Sequence, residues 1–123
     1  MKSSTRILLV DDYAIVREGL SAILNRQADM QVIAEASNGK EGFEAYRQYR
    51  PDIMLTDVSM PIMDGISATA ALLAEFPDAR VVIFSSEDET FQRAMRAGAK
   101  ACLLKDAPSH ELLATIRRVH QAD

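Results

Sequence analysis

The sequence predicts an α/β fold, a parallel sheet with helices on both faces. Five short apolar runs alternate with five amphipathic ones along 123 residues. The order reads βαβαβαβαβα, and right-handed crossovers between parallel strands leave few other ways to bury both faces. Three of the apolar runs, Ile7 to Val10, Ile53 to Leu55 and Ala101 to Leu104, lead into charged side chains: Asp11 and Asp12, Asp57, and Lys105. In a parallel sheet the carboxyl ends of those runs share one edge, where open α/β sheets bind ligands.

Each element has its own signal. Arg6 to Val10 reads as the first strand, and Ile15, Val16, Leu20, Ile23 and Leu24 then follow at helical spacing. Met30 to Ala36 is a second, more polar strand. Asn38 and Glu41 have capping-box spacing, Phe43, Tyr46 and Tyr49 form the apolar stripe of the second helix, and Arg50-Pro51 ends it. Asp52 to Thr56 is almost wholly apolar, as expected of a central strand covered on both faces. Asp64-Gly65 opens a third helix with Ile66, Ala70 and Leu73 facing in, and Pro77-Asp78 closes it. Arg80 to Phe84 is the fourth strand. Asp88 to Ala97 forms a short helix with Phe91, Ala94 and Met95 inward, stopped by Gly98. After the fifth strand, Ala101 to Leu104, Ser109 is placed to cap a last helix carrying Leu112, Leu113, Ile116 and Val119.

Size and composition narrow the class of function. Residues 1–123 fit one domain, and 48% hydrophobic with 26% charged residues is ordinary for a soluble globular protein. No apolar run approaches the ~18 residues of a membrane span, and the opening MKSSTR leads into a strand, so a cytoplasmic location with no membrane contact is expected. A net charge of -4 argues against direct nucleic-acid binding, which needs a clustered basic surface. The single cysteine, Cys102, lies in an aliphatic run and is expected to pack as a small hydrophobe.

The shared strand edge gathers Asp11, Asp12 and Asp57 with Ser85, Ser86 and Lys105. Two like charges ~4 Å apart repel by about 4 kcal/mol at an effective dielectric of 20, so a positive group must sit among the carboxylates. Mg²⁺ suits, because it takes few carboxylates and keeps positions open for water or phosphate oxygen. Lys105 supplies a compact charge able to reach a carboxylate or a phosphoryl oxygen. An ionised Asp57 at a strand tip is then an attacking carboxylate able to form an aspartyl phosphate. Ser85 is placed to donate a hydrogen bond to that group. Plainer readings exist for each residue: Asp11 or Asp12 as helix cap, Asp57 as turn residue, Lys105 as solvated charge. Joint placement at the ligand-binding edge favours the chemical reading.

These residues resemble the receiver domains of bacterial two-component response regulators. ILLVDD resembles the acidic first-strand signature, DIMLTDVSMPIMDG the phosphoacceptor strand and its loop, VVIFSS the fourth-strand end, and AGAKACLLKD the segment ending in the family lysine. The resemblance implies a flavodoxin-like doubly wound sheet of five parallel strands in the order 2-1-3-4-5. It further implies that Asp57 accepts a phosphoryl group from the phosphohistidine of a sensor histidine kinase, that Asp11, Asp12, Asp57 and the backbone carbonyl of Ser59 hold Mg²⁺, and that Ser85 and Lys105 contact the phosphoryl group. On this reading the chain is a signalling phosphoacceptor, not an enzyme, and forms a homodimer when phosphorylated. Two positions depart from the family. Cys102 stands where a Tyr or Phe ring usually swings, which leaves switching to Ser85 and loop movement. Asp106, not Pro, follows the lysine, and a cis bond there would cost about 3–4 kcal/mol.

VREGL and LLKD look most like receivers joined to LuxR-type helix-turn-helix domains. DNA contact is therefore expected only through a C-terminal output domain absent from these 123 residues, the alternative being a stand-alone receiver acting through protein contacts. A Mg²⁺-dependent phosphatase with an aspartyl nucleophile and a flavin electron carrier are the competing readings. No second acid stands two residues after Asp57, and no Gly/Ser/Thr-rich phosphate loop follows the first strand.

Overall fold

The structure, a computed structural model, describes residues 4–122. Strands β1 (Thr5–Val10), β2 (Met30–Ala36), β3 (Ile53–Asp57), β4 (Val81–Ser85) and β5 (Ala101–Leu104) alternate with helices α1 (Ala14–Asn25), α2 (Gly39–Tyr49), α3 (Gly65–Glu75), α4 (Phe91–Ala97) and α5 (Ser109–Gln121). A single 3₁₀ turn, Asp88–Thr90, leads into α4. The strands form one sheet in the order β2-β1-β3-β4-β5 with every pairing parallel, the flavodoxin-like arrangement expected from the sequence.

Strand alternation splits the core into two layers. Leu8, Val10, Met54, Val81 and Ile83 point to one face, where Tyr46 of α2, Leu72 of α3 and Ala94 of α4 cover them. Ile7, Leu9, Ile53, Leu55, Val82 and Phe84 point to the other, under Leu24 of α1 and Leu112, Ile116 and Val119 of α5. Both faces are buried, which is why β3 and β4 read as unbroken apolar runs. Register aligns the ends: Val10 pairs with Thr56 and Ser85 with Leu104, so the residues just beyond β1, β3, β4 and β5 emerge along one edge.

Local chemistry fixes the helix ends. The Asn38 side chain accepts the Glu41 amide at 2.9 Å, and the Glu41 carboxylate accepts from the Ser37 amide and hydroxyl at 3.0 and 2.6 Å. The capping box therefore closes, with its return arm on Ser37, one residue before the cap. Two arginines satisfy carbonyls at the other ends. Arg6 donates to Tyr49 and Arg50 at the end of α2, and Arg80 to Val119, His120 and Ala122 at the end of α5. Asn38→Ala is expected to lower stability by about 1 kcal/mol, because Asn38 is buried and its cap bond has no replacement; urea unfolding would measure it.

Several inward assignments differ. In α3 the buried stripe is Ile66, Thr69 and Leu72, while Ala70 is exposed. Tyr13 to Ile15 are exposed, so the covered stripe of α1 begins at Val16. Tyr49 and Met95 also face out, at the solvent side of helices otherwise packed through Tyr46 and Ala94. Ser109 is the first residue of α5 and makes no cap bond; Pro108 occupies the cap position. Proline offers no side-chain acceptor, and the Glu111 amide instead donates to the Pro108 carbonyl at 3.0 Å.

Candidate functional site

The carboxyl edge of the sheet carries a compact polar nest. Asp11, immediately after β1, is fully buried, and its Oδ1 accepts the Tyr13 amide at 2.8 Å. Asp57 closes β3, and its Oδ1 accepts the Val58 amide at 2.7 Å. Lys105 follows β5, an edge strand separated from β3 by β4. Its side chain spans that gap across the Phe84 ring, placing Nζ 5.2 Å from the ring centroid. Nζ then sits 3.1 Å from Asp11 Oδ2 and 3.0 Å from Asp57 Oδ2. Oxygens of Asp11, Asp12 and Asp57 lie within 4.8 Å of one another.

Three carboxylates and one ammonium leave a surplus of negative charge. Burial pushes the Asp57 carboxyl above its ordinary range, and the Lys105 hydrogen bond and charge only partly reverse this. At Lys105 burial disfavours the charged form, but Asp57 and Asp11 outweigh it and hold the ammonium above its usual range. Asp12 Oδ1 is buried without any hydrogen-bond partner. A buried carboxylate oxygen with no hydrogen-bond donor, beside two other carboxylates, suits a cation ligand. These donors, all hard oxygens, fit a divalent cation of the Mg²⁺ type.

The β3–α3 loop packs tightly against the acid at its root. Gly65 donates its amide to Val58 at 2.8 Å, and the Thr56 hydroxyl donates to the Asp57 carbonyl at 3.0 Å. A Cβ on Gly65 would stand 1.9 Å from that same carbonyl oxygen. Only glycine permits the approach.

Ser85 closes β4, buried, at the same edge. Its hydroxyl oxygen accepts the Glu87 amide at 3.1 Å and lies 3.2 Å from the Thr90 hydroxyl. Ser59 is exposed on the loop two residues beyond Asp57. Neither Asp11 nor Asp12 caps α1, whose cap position is Tyr13 with no side-chain bond. Cys102 is half-buried, packs against the core on the α4 face with Sγ 3.9 Å from the Phe91 carbonyl, and burial pushes its thiol up. No cis peptide occurs among the described residues, so the Lys105-Asp106 bond is trans. The sequence drew no attention to Thr90 and marked Gly65 only as a helix opening. The signal for Thr90 was a hydroxyl residue within one helical turn of Ser85; for Gly65 it was a glycine at the first position of a helix.

The family model for the response regulator receiver domain matches residues 7–117. This chain belongs to that family. Among curated relatives, the oxygen regulatory protein NreC of Staphylococcus aureus is 39% identical over 121 residues, which make up 96% of this chain and 56% of that protein. The receiver thus spans little more than half the length of the curated relatives it matches. Among solved structures, the signal receiver domain of the response regulator NarL from Mycobacterium tuberculosis superposes with a TM-score of 0.91 at 28% identity, covering 98% of this chain and 99% of that one. A LuxR-family two-component response regulator from Aurantimonas sp. SI85-9A1 gives 0.92 at 34% identity, covering 96% of the receiver and 86% of its own chain. Among the described residues, no helix is long and apolar enough to cross a membrane.

Proposed function

We propose that this receiver is a phosphorylation-dependent switch in which Asp57 takes a phosphoryl group from a phosphohistidine of a sensor histidine kinase. One observation carries the reading: Lys105 Nζ bonds Asp11 and Asp57 within a nest where Asp12 keeps an orphaned oxygen. An Asp57 carboxylate oxygen attacks phosphorus, a new P–O bond forms as the donor's P–N bond breaks, and the imidazole leaves with that electron pair. Lys105 and the Ser85 hydroxyl stabilise charge on the phosphoryl oxygens. Asp11, Asp12, Asp57 and the Ser59 backbone carbonyl would hold Mg²⁺, which when bound supplies charge neutralisation for the transferring group. Apart from its own phosphorylation and slow dephosphorylation, the domain is proposed to catalyse no reaction.

The added charge and acceptor oxygens reorganise the loops and the surface made by α4, β5 and α5, which pairs two phosphorylated copies. Since NreC-like relatives extend well beyond the matched region, the output is proposed to be a LuxR-type DNA-binding domain following α5. The whole protein is proposed to act in the cytoplasm.

Incubation with Mg²⁺ and a small acyl phosphate, followed by intact mass measurement, is expected to show a gain of one phosphate in wild type and none in Asp57→Asn. No gain in wild type would reject the reading, and multiple turnover on a generic phosphate ester would favour a phosphatase. Sedimentation is expected to show a larger species with the phosphoryl mimic beryllofluoride; an unchanged monomer would reject phosphorylation-linked pairing.

A further inference from the structure

We infer that Thr90 is a positioning residue that latches the Ser85 hydroxyl away from Asp57 in the unphosphorylated receiver, so that the link from the site to α4 runs through a hydroxyl pair. The inference rests on the proposed phosphoacceptor role of Asp57 and adds to it the element that sets the resting state.

Proton counting gives the arrangement. Ser85 Oγ accepts the Glu87 amide at 3.1 Å. Thr90 Oγ1 lies 2.9 Å from the Glu87 carbonyl and 3.2 Å from Ser85 Oγ. A hydroxyl carries a single proton, so Thr90 cannot donate to both. The carbonyl is the nearer partner and the one with no proton of its own. Thr90 therefore donates to Glu87, and the Ser85 proton goes to Thr90 Oγ1. The three residues close a ring: Glu87 amide to Ser85, Ser85 to Thr90, Thr90 to the Glu87 carbonyl. In that ring the one proton Ser85 can offer a phosphoryl oxygen is already committed.

Thr90 is also the residue from which α4 starts, at its cap position with no other side-chain bond to the helix. The neighbouring strand offers no alternative lever. Cys102 of β5 is small and stays against the Phe91 carbonyl. When Ser85 turns its proton toward a phosphoryl oxygen, Thr90 loses its donor, and the 3₁₀ turn Asp88–Thr90, exposed at its first two residues, is free to shift with the start of α4.

The test is a double-mutant cycle read by beryllofluoride affinity in Mg²⁺, with the intact domain. Thr90→Val keeps the shape and removes the acceptor; it is expected to tighten beryllofluoride binding about fivefold, the equivalent of about 1 kcal/mol for one released hydrogen bond. Thr90→Ser is expected to restore wild-type affinity. In a Ser85→Ala background Thr90→Val is expected to have no effect, since the latch then has nothing to hold. Wild-type binding matched by Thr90→Val, or a Thr90→Val effect that persists without Ser85, would overturn the latch. Absence of beryllofluoride binding in wild type would instead reject the phosphoacceptor reading. In that event a crystal structure of the unliganded domain still decides the ring, and a Ser85 hydroxyl turned away from Thr90 overturns it.

Discussion

Gly65→Ala is expected to lower stability by about 3 kcal/mol or more and to abolish phosphate incorporation at Asp57. The cause is contact, not backbone preference. A methyl carbon at this position would lie 1.9 Å from the Asp57 carbonyl oxygen and 2.9 Å from its carbonyl carbon, and both are main-chain atoms of a central strand. Relief requires either that α3 slide outward, lifting Ile66 and Leu72 from the core, or that the Asp57 peptide rotate, carrying the carboxylate away from Lys105. The first outcome lowers the unfolding midpoint, and the second removes the chemistry. Gly19→Ala is the matched control: nothing lies within 4 Å of a Cβ there. In the middle of α1 the extra methyl is expected to stabilise by about 0.5–1 kcal/mol. Thermal melts and mass measurement on both variants check the pair, and a Gly65→Ala protein with wild-type midpoint and phosphorylation would contradict the packing described.

Lys105→Met is the second large effect. Methionine keeps most of the apolar stem over Phe84 but leaves Asp11 buried without its cationic partner. Breaking a buried ion pair from one side costs about 3–5 kcal/mol. The Lys105 side chain is 27% exposed, so a loss of about 2–3 kcal/mol is expected in metal-free protein at neutral pH. The pH dependence has a definite sign. Asp57 already sits above the ordinary carboxylate range in the folded protein, and removing Lys105 raises it further. A carboxyl whose folded value is raised binds its proton more readily folded than unfolded, so it destabilises the fold at high pH. That penalty disappears as pH falls through the raised folded value toward the ordinary one near 4. The gap between wild type and Lys105→Met is therefore expected to narrow on acidification. Saturating Mg²⁺ should narrow it at neutral pH, since the variant has no ammonium competing for the carboxylates and binds the cation more tightly, each tenfold gain in affinity adding about 1.4 kcal/mol to the variant alone. Urea midpoints at several pH values, with and without Mg²⁺, would measure both trends. A gap that widened in acid would contradict the charge arrangement.

Element order, and strand limits to within one residue, were legible because the apolar runs end near charge or proline and α2, α3 and α4 carry a cap or stop residue. The acidic nest was legible for a simpler reason: Asp11, Asp12, Asp57 and Lys105 lie at or just past the carboxyl ends of apolar strands, and parallel register carries them to one edge. What escaped depended on contacts between elements. Ala70 and Leu72 cannot be ranked by periodicity when α3 is apolar on most sides. The orientation of Ser85 depends on Thr90, reached across a loop and a 3₁₀ turn. Ile62, with a φ of 70°, holds a left-handed position that a β-branched residue seldom takes. The geometry is imposed where the loop closes between the Val58 carbonyl and the Gly65 amide. No hydrophobic pattern announces it.

The counter-ion of the nest arrives late. Its carboxylates belong to β1 and β3, which pair side by side, whereas Lys105 follows the edge strand β5. During translation a nascent chain exposes all three acids long before the ammonium that holds two of them leaves the ribosome. Until β5 docks, the acidic edge has no cation from its own chain to offset its repulsion. The charge balance of this edge is thereby tied to completion of the sheet, whose last strand delivers the cation.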